Sequence, residues 1–220
     1  MAIVDLHLLV QTVLYCCTFI CGFMVSIPIG VTHTNFDGSC MLYGDFEWKS
    51  NNEFIMQSSD QLNCNFSIYL SVLGGIFYSL FLLAYNAYAL HKSRSNHNVG
   101  LEMWVLPFIL LNSVMTILVL ISSCIITVGF NAFCDGITKG RYSNNCPDAQ
   151  NGEWTRQGTD VHFNVGNFYE LLTVAKIASW VAFLLWLGQV ALGILRFIRN
   201  RTHRTRNADR DRLGAEHPSS

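Results

Sequence analysis

The stretch Met103–Phe130, MWVLPFILLNSVMTILVLISSCIITVGF, contains no charged residue. A helix crosses the ~30 Å hydrocarbon core of a bilayer with about 20 mostly apolar residues, so this run is long enough to span. Three further runs read the same way: Leu6–Val31, Ile68–Leu90 and Phe168–Leu195, with Glu170 and Lys176 the only charges among them. The composition agrees. Of 220 residues, 51% are hydrophobic and 13% charged, about half the charged share of a soluble domain. A soluble fold is excluded, and the expected fold class is all-α membrane: a four-transmembrane-helix bundle. The first run is too long for a signal peptide, and its leader Met1–Asp5 has no Lys or Arg. It reads as a retained helix.

Orientation follows from Lys and Arg beside the spans. The short segment His91–Gly100 carries Lys92 and Arg94 and no acid, and seven arginines follow the fourth run. The long loops, about 32–67 and 131–167, hold only Lys49, Lys139, Arg141 and Arg156 between them. Both termini and the short loop are therefore expected to be cytoplasmic, and the long loops extracellular or lumenal, in a plasma-membrane or secretory-pathway membrane.

The cysteines divide along the same line. Cys16, Cys17, Cys21 and Cys124 lie in apolar runs, where Cys behaves as a small hydrophobe. Cys40 and Cys64 fall in the first long loop, Cys134 and Cys146 in the second. Disulfides persist in oxidising compartments. Four cysteines allow three connectivities; pairing within each loop, which closes the shorter rings, is the expected one. Cys40–Trp48 and Glu53–Gln57 have strand composition around the turn Lys49-Ser-Asn-Asn, which suggests a hairpin. Val161–Val165 is a short strand candidate in the second long loop. An isolated hairpin is marginal in water, so a third strand or the disulfides should hold it, making a small disulfide-bearing extracellular β lid. Asn65-Phe66-Ser67 is a glycosylation sequon by pattern, placed against the second run.

Three motifs, Cys40-Met-Leu-Tyr-Gly44, Gly129-Phe-Asn-Ala-Phe-Cys134-Asp-Gly-Ile and Trp154-Thr-Arg-Gln-Gly158-Thr, resemble those of the transmembrane protein 179 family in order and spacing. The resemblance covers nearly the whole chain up to the arginine tail and implies a four-pass membrane protein, with no catalytic or binding residues to carry over. The four-span plan with a disulfide-bearing first loop is also similar to claudin-like proteins. Their Trp then Gly-Leu-Trp signature with two closely spaced cysteines is missing, since Cys40 and Cys64 stand too far apart.

No His-Glu-x-x-His, Gly-x-Ser-x-Gly or phosphate-cradling glycine loop occurs, and the histidines are scattered. No catalytic residue, cofactor, metal or nucleic-acid partner is expected. Gln11, Asn86, Asn112 and Gln189 lie within the apolar runs, where amides hydrogen-bond across helices. Lys176 is expected to snorkel outward, since helical side chains lean toward the amino terminus; a structural contact and a transport role are the alternatives. Small residues recur at four-residue spacing in Gly22, Ser26 and Gly30 and in Ser71, Gly75 and Ser79, a pattern that lets helices approach closely. Arg196, Arg199, Arg201, Arg204 and Arg206 should sit beside the inner leaflet, each contributing ~1 kcal/mol of attraction to anionic lipid. The segment 197–220 reads as a cytoplasmic, arginine-rich, disordered tail, whose Arg-x-Arg triplets resemble endoplasmic-reticulum retention signals. The expected function is non-enzymatic: binding another membrane protein, as auxiliary subunit or scaffold. The alternative is a transporter or channel for ions or small solutes.

Overall fold

A computed structural model describes residues 3–48, 53–57, 59–93, 106–139, 145–151, 154–156, 162–163 and 166–216. Four stretches of helix are long and apolar enough to cross a membrane: Leu6–Asn35, Gln61–Lys92, Leu106–Lys139 and Phe168–Thr202. The first lies in α1 (Ile3–Asn35). The second is built from α2 (Gln61–Leu70), a π-helical segment (Ser71–Tyr78) and α3 (Ser79–Ser93). The third is α4 (Leu106–Lys139), and the fourth is the first part of α5 (Phe168–Glu216). Large apolar side chains such as Leu110, Ile117 and Leu184 are about 60% exposed, as expected of helices solvated by lipid rather than water.

The helices outrun the apolar runs because caps, not hydropathy, end them. α1 continues past Val31 until Gly38, with φ of +72°, donates to the His33 carbonyl at 2.9 Å, a left-handed stop that suits glycine. α2 begins at Gln61, where the Asp60 carboxylate accepts from the Leu62 amide at 3.0 Å. Cys64 and the sequon Asn65-Phe66-Ser67 are thus helical, and the Ser67 hydroxyl accepts a bond from Ser122 at 3.1 Å. Cys134 is helical too, because α4 runs on to Lys139. The expected disordered tail is corrected in the same sense: α5 extends through the arginine-rich segment to Glu216. Arginine, alanine and leucine are good helix formers, and extending an existing helix avoids the cost of nucleation.

Four short strands form one sheet in the order β1-β2-β3-β4. β1 (Asp45–Trp48) pairs antiparallel with β2 (Glu53–Gln57), setting Trp48 opposite Phe54. β3 (Trp154–Arg156) runs parallel to β2, and β4 (His162–Phe163) antiparallel to β3. The expected first strand is shorter than Cys40–Trp48. Cys40, Met41 and Leu42 instead form a buried coil against α4, with the Tyr43 amide donating to the Gly129 carbonyl at 3.3 Å. A Cβ on Gly129 would lie 2.8 Å from Leu42 Cβ, so two of the motifs quoted above meet at a glycine. The turn at 49–52 and the ends of Val161–Val165 lie outside the described residues.

Each end of the bundle has its own core. Phe36, Phe133, Ile137 and Phe168 pack with the Cys40–Leu42 coil at the sheet end. Deeper in the bundle, Trp186 is fully buried, stacked on Tyr78 (centroids 5.7 Å apart) and edge-on to Tyr15 (6.3 Å). The first and second spans cross at two glycines: a Cβ on Gly22 would come within 2.8 Å of the Gly75 carbonyl carbon. Gly22 makes that crossing, while Gly30 of the same row faces open space.

Candidate functional site

The intramembrane amides converge on the end of the bundle away from the sheet. Asn112 on α4 donates to the Tyr15 hydroxyl at 2.8 Å and accepts from the Tyr78 hydroxyl at 3.1 Å. Gln189 on α5, fully buried, donates to the Gln11 carbonyl at 3.1 Å. Arg196, one helical repeat further along α5, directs a guanidinium nitrogen to the Gln11 side-chain oxygen at 3.5 Å. Asn86 on α3 turns back to its own helix, donating to the Leu82 carbonyl at 2.9 Å. Between these groups lies a chamber of about 30 Å³ lined by Gln11, Tyr15, Tyr85, Asn86, Asn112 and Arg196 together with apolar side chains. All four spans contribute to it.

Arg196 therefore differs from expectation: 9% exposed, it faces into the bundle rather than the leaflet. Arginine tolerates such a place because its planar fork offers five donors and its stem packs as hydrocarbon. Arg199 is half-buried, Arg201 and Arg206 are exposed, and the Arg204 side chain lies outside the described residues. The sequence reading missed the tyrosines. Their signal was present: Gln11 and Tyr15 are four residues apart and share a helix face, as do Gln189 and Arg196 at seven.

Lys176 stands apart from this cluster, near the sheet end of α5. Its ammonium sits over the Phe130 ring, 4.9 Å from the centroid, and the side chain is half-buried. A ring face compensates a cation that the bilayer would otherwise desolvate. Disulfides join Cys40 to Cys64 and Cys134 to Cys146, with Cα–Cα distances of 5.7 and 5.3 Å. The first ties the buried coil to α2, and the second ties the end of α4 to the 3₁₀ turn Cys146–Asn151. Cys16, Cys17 and Cys124 are free and exposed on the helices, and Cys21 is free and buried. Among the described residues no three His, Cys, Asp or Glu side chains come together as metal ligands.

No solved structure matches the chain. Transmembrane protein 179B of Danio rerio is 29% identical over 193 residues, covering 86% of this chain and 83% of its own. The Mus musculus protein of that name is 29% identical over 178 residues, 80% of this chain and 77% of its own. The Homo sapiens one is 26% identical over 188 residues, 86% and 82%. A family model described as the transmembrane protein 179/179B claudin domain matches residues 7–217. Its breadth takes in the four spans, both disulfides and most of the arginine helix, and the chain belongs to that family of membrane proteins.

Proposed function

We propose that the protein is a non-enzymatic membrane subunit that works by binding another membrane protein. The observation that carries this reading is the filled centre of the bundle. Rings of Tyr15, Tyr78 and Trp186, from three different spans, close the middle layer, and the spaces flanking it amount to about 30 and 20 Å³. Each has room for one or two waters. The outer surface, by contrast, carries a groove of about 570 Å³ along the second span, where Leu62, Tyr69, Leu73, Gly74 and Tyr78 face Met115 of the third. Asn65 at its sheet end supplies a polar group that an acyl chain has no use for and a neighbouring helix can hydrogen-bond.

In this reading both ends of the chain are cytoplasmic. The arginine excess beyond the fourth span supports that orientation, and four crossings bring the two ends to one side. The sheet and its disulfides then form an extracellular or lumenal lid. The exposed Arg201 and Arg206 face the inner leaflet, where they attract anionic lipid.

The test places a photocrosslinking residue at Leu73, in the groove, and another at Leu184, on exposed lipid-facing surface. A discrete membrane-protein adduct from Leu73 and none from Leu184 is the expected result. Ion or solute flux through liposomes containing the purified protein alone would replace this reading with transport.

A further inference from the structure

The chamber beneath the aromatic layer leaves three polar groups unanswered, and they are of opposite kinds. On α3, the Asn86 nitrogen is spent on the Leu82 carbonyl of its own helix. That bond fixes which branch of the amide is oxygen, and the oxygen has no donor among the described residues. On α1, the Tyr15 hydroxyl accepts from Asn112, and its own proton has no acceptor among those residues. The Gln11 side-chain nitrogen likewise donates to nothing among them, while its oxygen is taken by Arg196. All three side chains are more than nine-tenths buried: Asn86 is 5% exposed, Gln11 6% and Tyr15 3%. Bare polar groups are costly inside a membrane, where no bulk water answers them.

All three line the same space of about 30 Å³. One water needs roughly 10–15 Å³ of such space and two to four polar partners, so two waters fit. A water accepts from Tyr15 or Gln11 and donates to Asn86, and so serves both kinds of group at once. Other occupants do not. An anion would face the Asn86 oxygen with no proton to give it. A metal cation would meet one amide oxygen beside the Arg196 guanidinium, and an apolar atom would satisfy neither donor nor acceptor. The site also falls where the bundle lacks a direct tie. The helices α1 and α3 pack along each other, yet among the described residues no side-chain hydrogen bond joins the two.

We propose that the chamber is a binding site for two internal waters, which join α1 to α3 by bridging the Tyr15 hydroxyl and the Gln11 amide to the Asn86 oxygen. With Asn112 holding Tyr15 and Tyr78, and Gln189 holding Gln11, the bridge completes a polar network that touches all four spans. Water in this place is a structural part of the bundle, and its hydrogen bonds stand in for a side-chain pair that α1 and α3 do not make.

The test exposes full-length protein in lipid nanodiscs to a short X-ray pulse, which splits water into hydroxyl radicals that oxidise the side chains beside it. After correction for intrinsic reactivity, the buried Tyr15 should oxidise several-fold faster than Phe133, which is as deeply buried in the apolar core at the sheet end. Asn86→Leu removes the acceptor and fills part of the chamber, without taking away a direct bond to another helix. It should bring Tyr15 oxidation down to the Phe133 level. The thermal-midpoint shifts of Tyr15→Phe and Asn86→Leu should then combine to less than their sum, because either change alone breaks the same bridge. Tyr15 oxidation no faster than that of Phe133 in the wild type would overturn the proposal, and that comparison needs no variant. Undiminished Tyr15 oxidation in a folded Asn86→Leu protein, or strictly additive midpoint shifts, would overturn it as well.

Discussion

The sheet end and the arginine end of this bundle are held together by different chemistry. At the sheet end Cys40–Cys64 and Cys134–Cys146 close covalent rings around a dry apolar core of Phe36, Phe133, Ile137 and Phe168. At the arginine end there is no covalent link among the described residues, and side-chain hydrogen bonds of Gln11, Asn112, Gln189 and Arg196 join the spans. Apolar side chains gain little by leaving lipid for a bundle interior, since acyl chains are as apolar as they are. A membrane protein must therefore bind its helices by close packing, by polar contacts or by covalent bonds, and this one divides those means between its two ends.

That division can be tested by breaking one end at a time and following thermal unfolding through tryptophan fluorescence. The largest effect is expected from Cys40→Ala with Cys64→Ala, which should cost ~2–4 kcal/mol and loosen the sheet while the near-ultraviolet circular dichroism of Trp186, packed between Tyr15 and Tyr78, persists. If that aromatic signal is lost with it, the two ends are not independent. Gly75→Leu, at the crossing with Gly22, should cost ~1–3 kcal/mol through overpacking and disturb both ends, because the clash there is with backbone. Asn112→Leu removes the hub between Tyr15 and Tyr78 and should cost about 0.6–1.7 kcal/mol, with the disulfides still formed by non-reducing electrophoresis. Lys176→Met should cost the least, ~0.5–1 kcal/mol for a lost cation–ring contact. A null result there would return Lys176 to a side chain that merely reaches for the interface.

The sequence showed the two ends unequally. Four spans and two pairs of loop cysteines stood out because apolar runs and cysteine spacing are local signals, visible without knowing what packs on what. The ends of the helices were harder. Cys64 and Cys134 read as loop residues because the apolar runs stop short of them, yet a helix continues until a cap such as Asp60 or Gly38 intervenes. The tail misled for a related reason: few apolar residues suggested disorder, while the helix already formed in the membrane carries on through Arg199 and Arg201. The chamber was least legible. Gln11, Asn112 and Gln189 could be named one by one, but their meeting depends on how four helices are rotated. Arg196 reads as part of a basic tail, and only the helix face it shares with Gln189, seven residues earlier, hints that it turns inward. β3 is legible as a motif and not as a strand, since three residues are too few to show alternation.

The parallel pairing of β2 with β3 has a consequence for the order of events in biosynthesis. β2 and β3 are separated in the chain by the whole of the second and third spans. When the first hairpin emerges, β1 can pair with β2 at once, and Cys40 can meet Cys64 as soon as α2 follows. The far edge of β2 must wait until α4 and the Cys134–Cys146 ring have been made. During that interval it is an open strand edge, the kind of surface that recruits another chain. Polypeptides halted after the third span would keep that edge open, and a chaperone that delays release until Trp154–Arg156 has been synthesised would protect it.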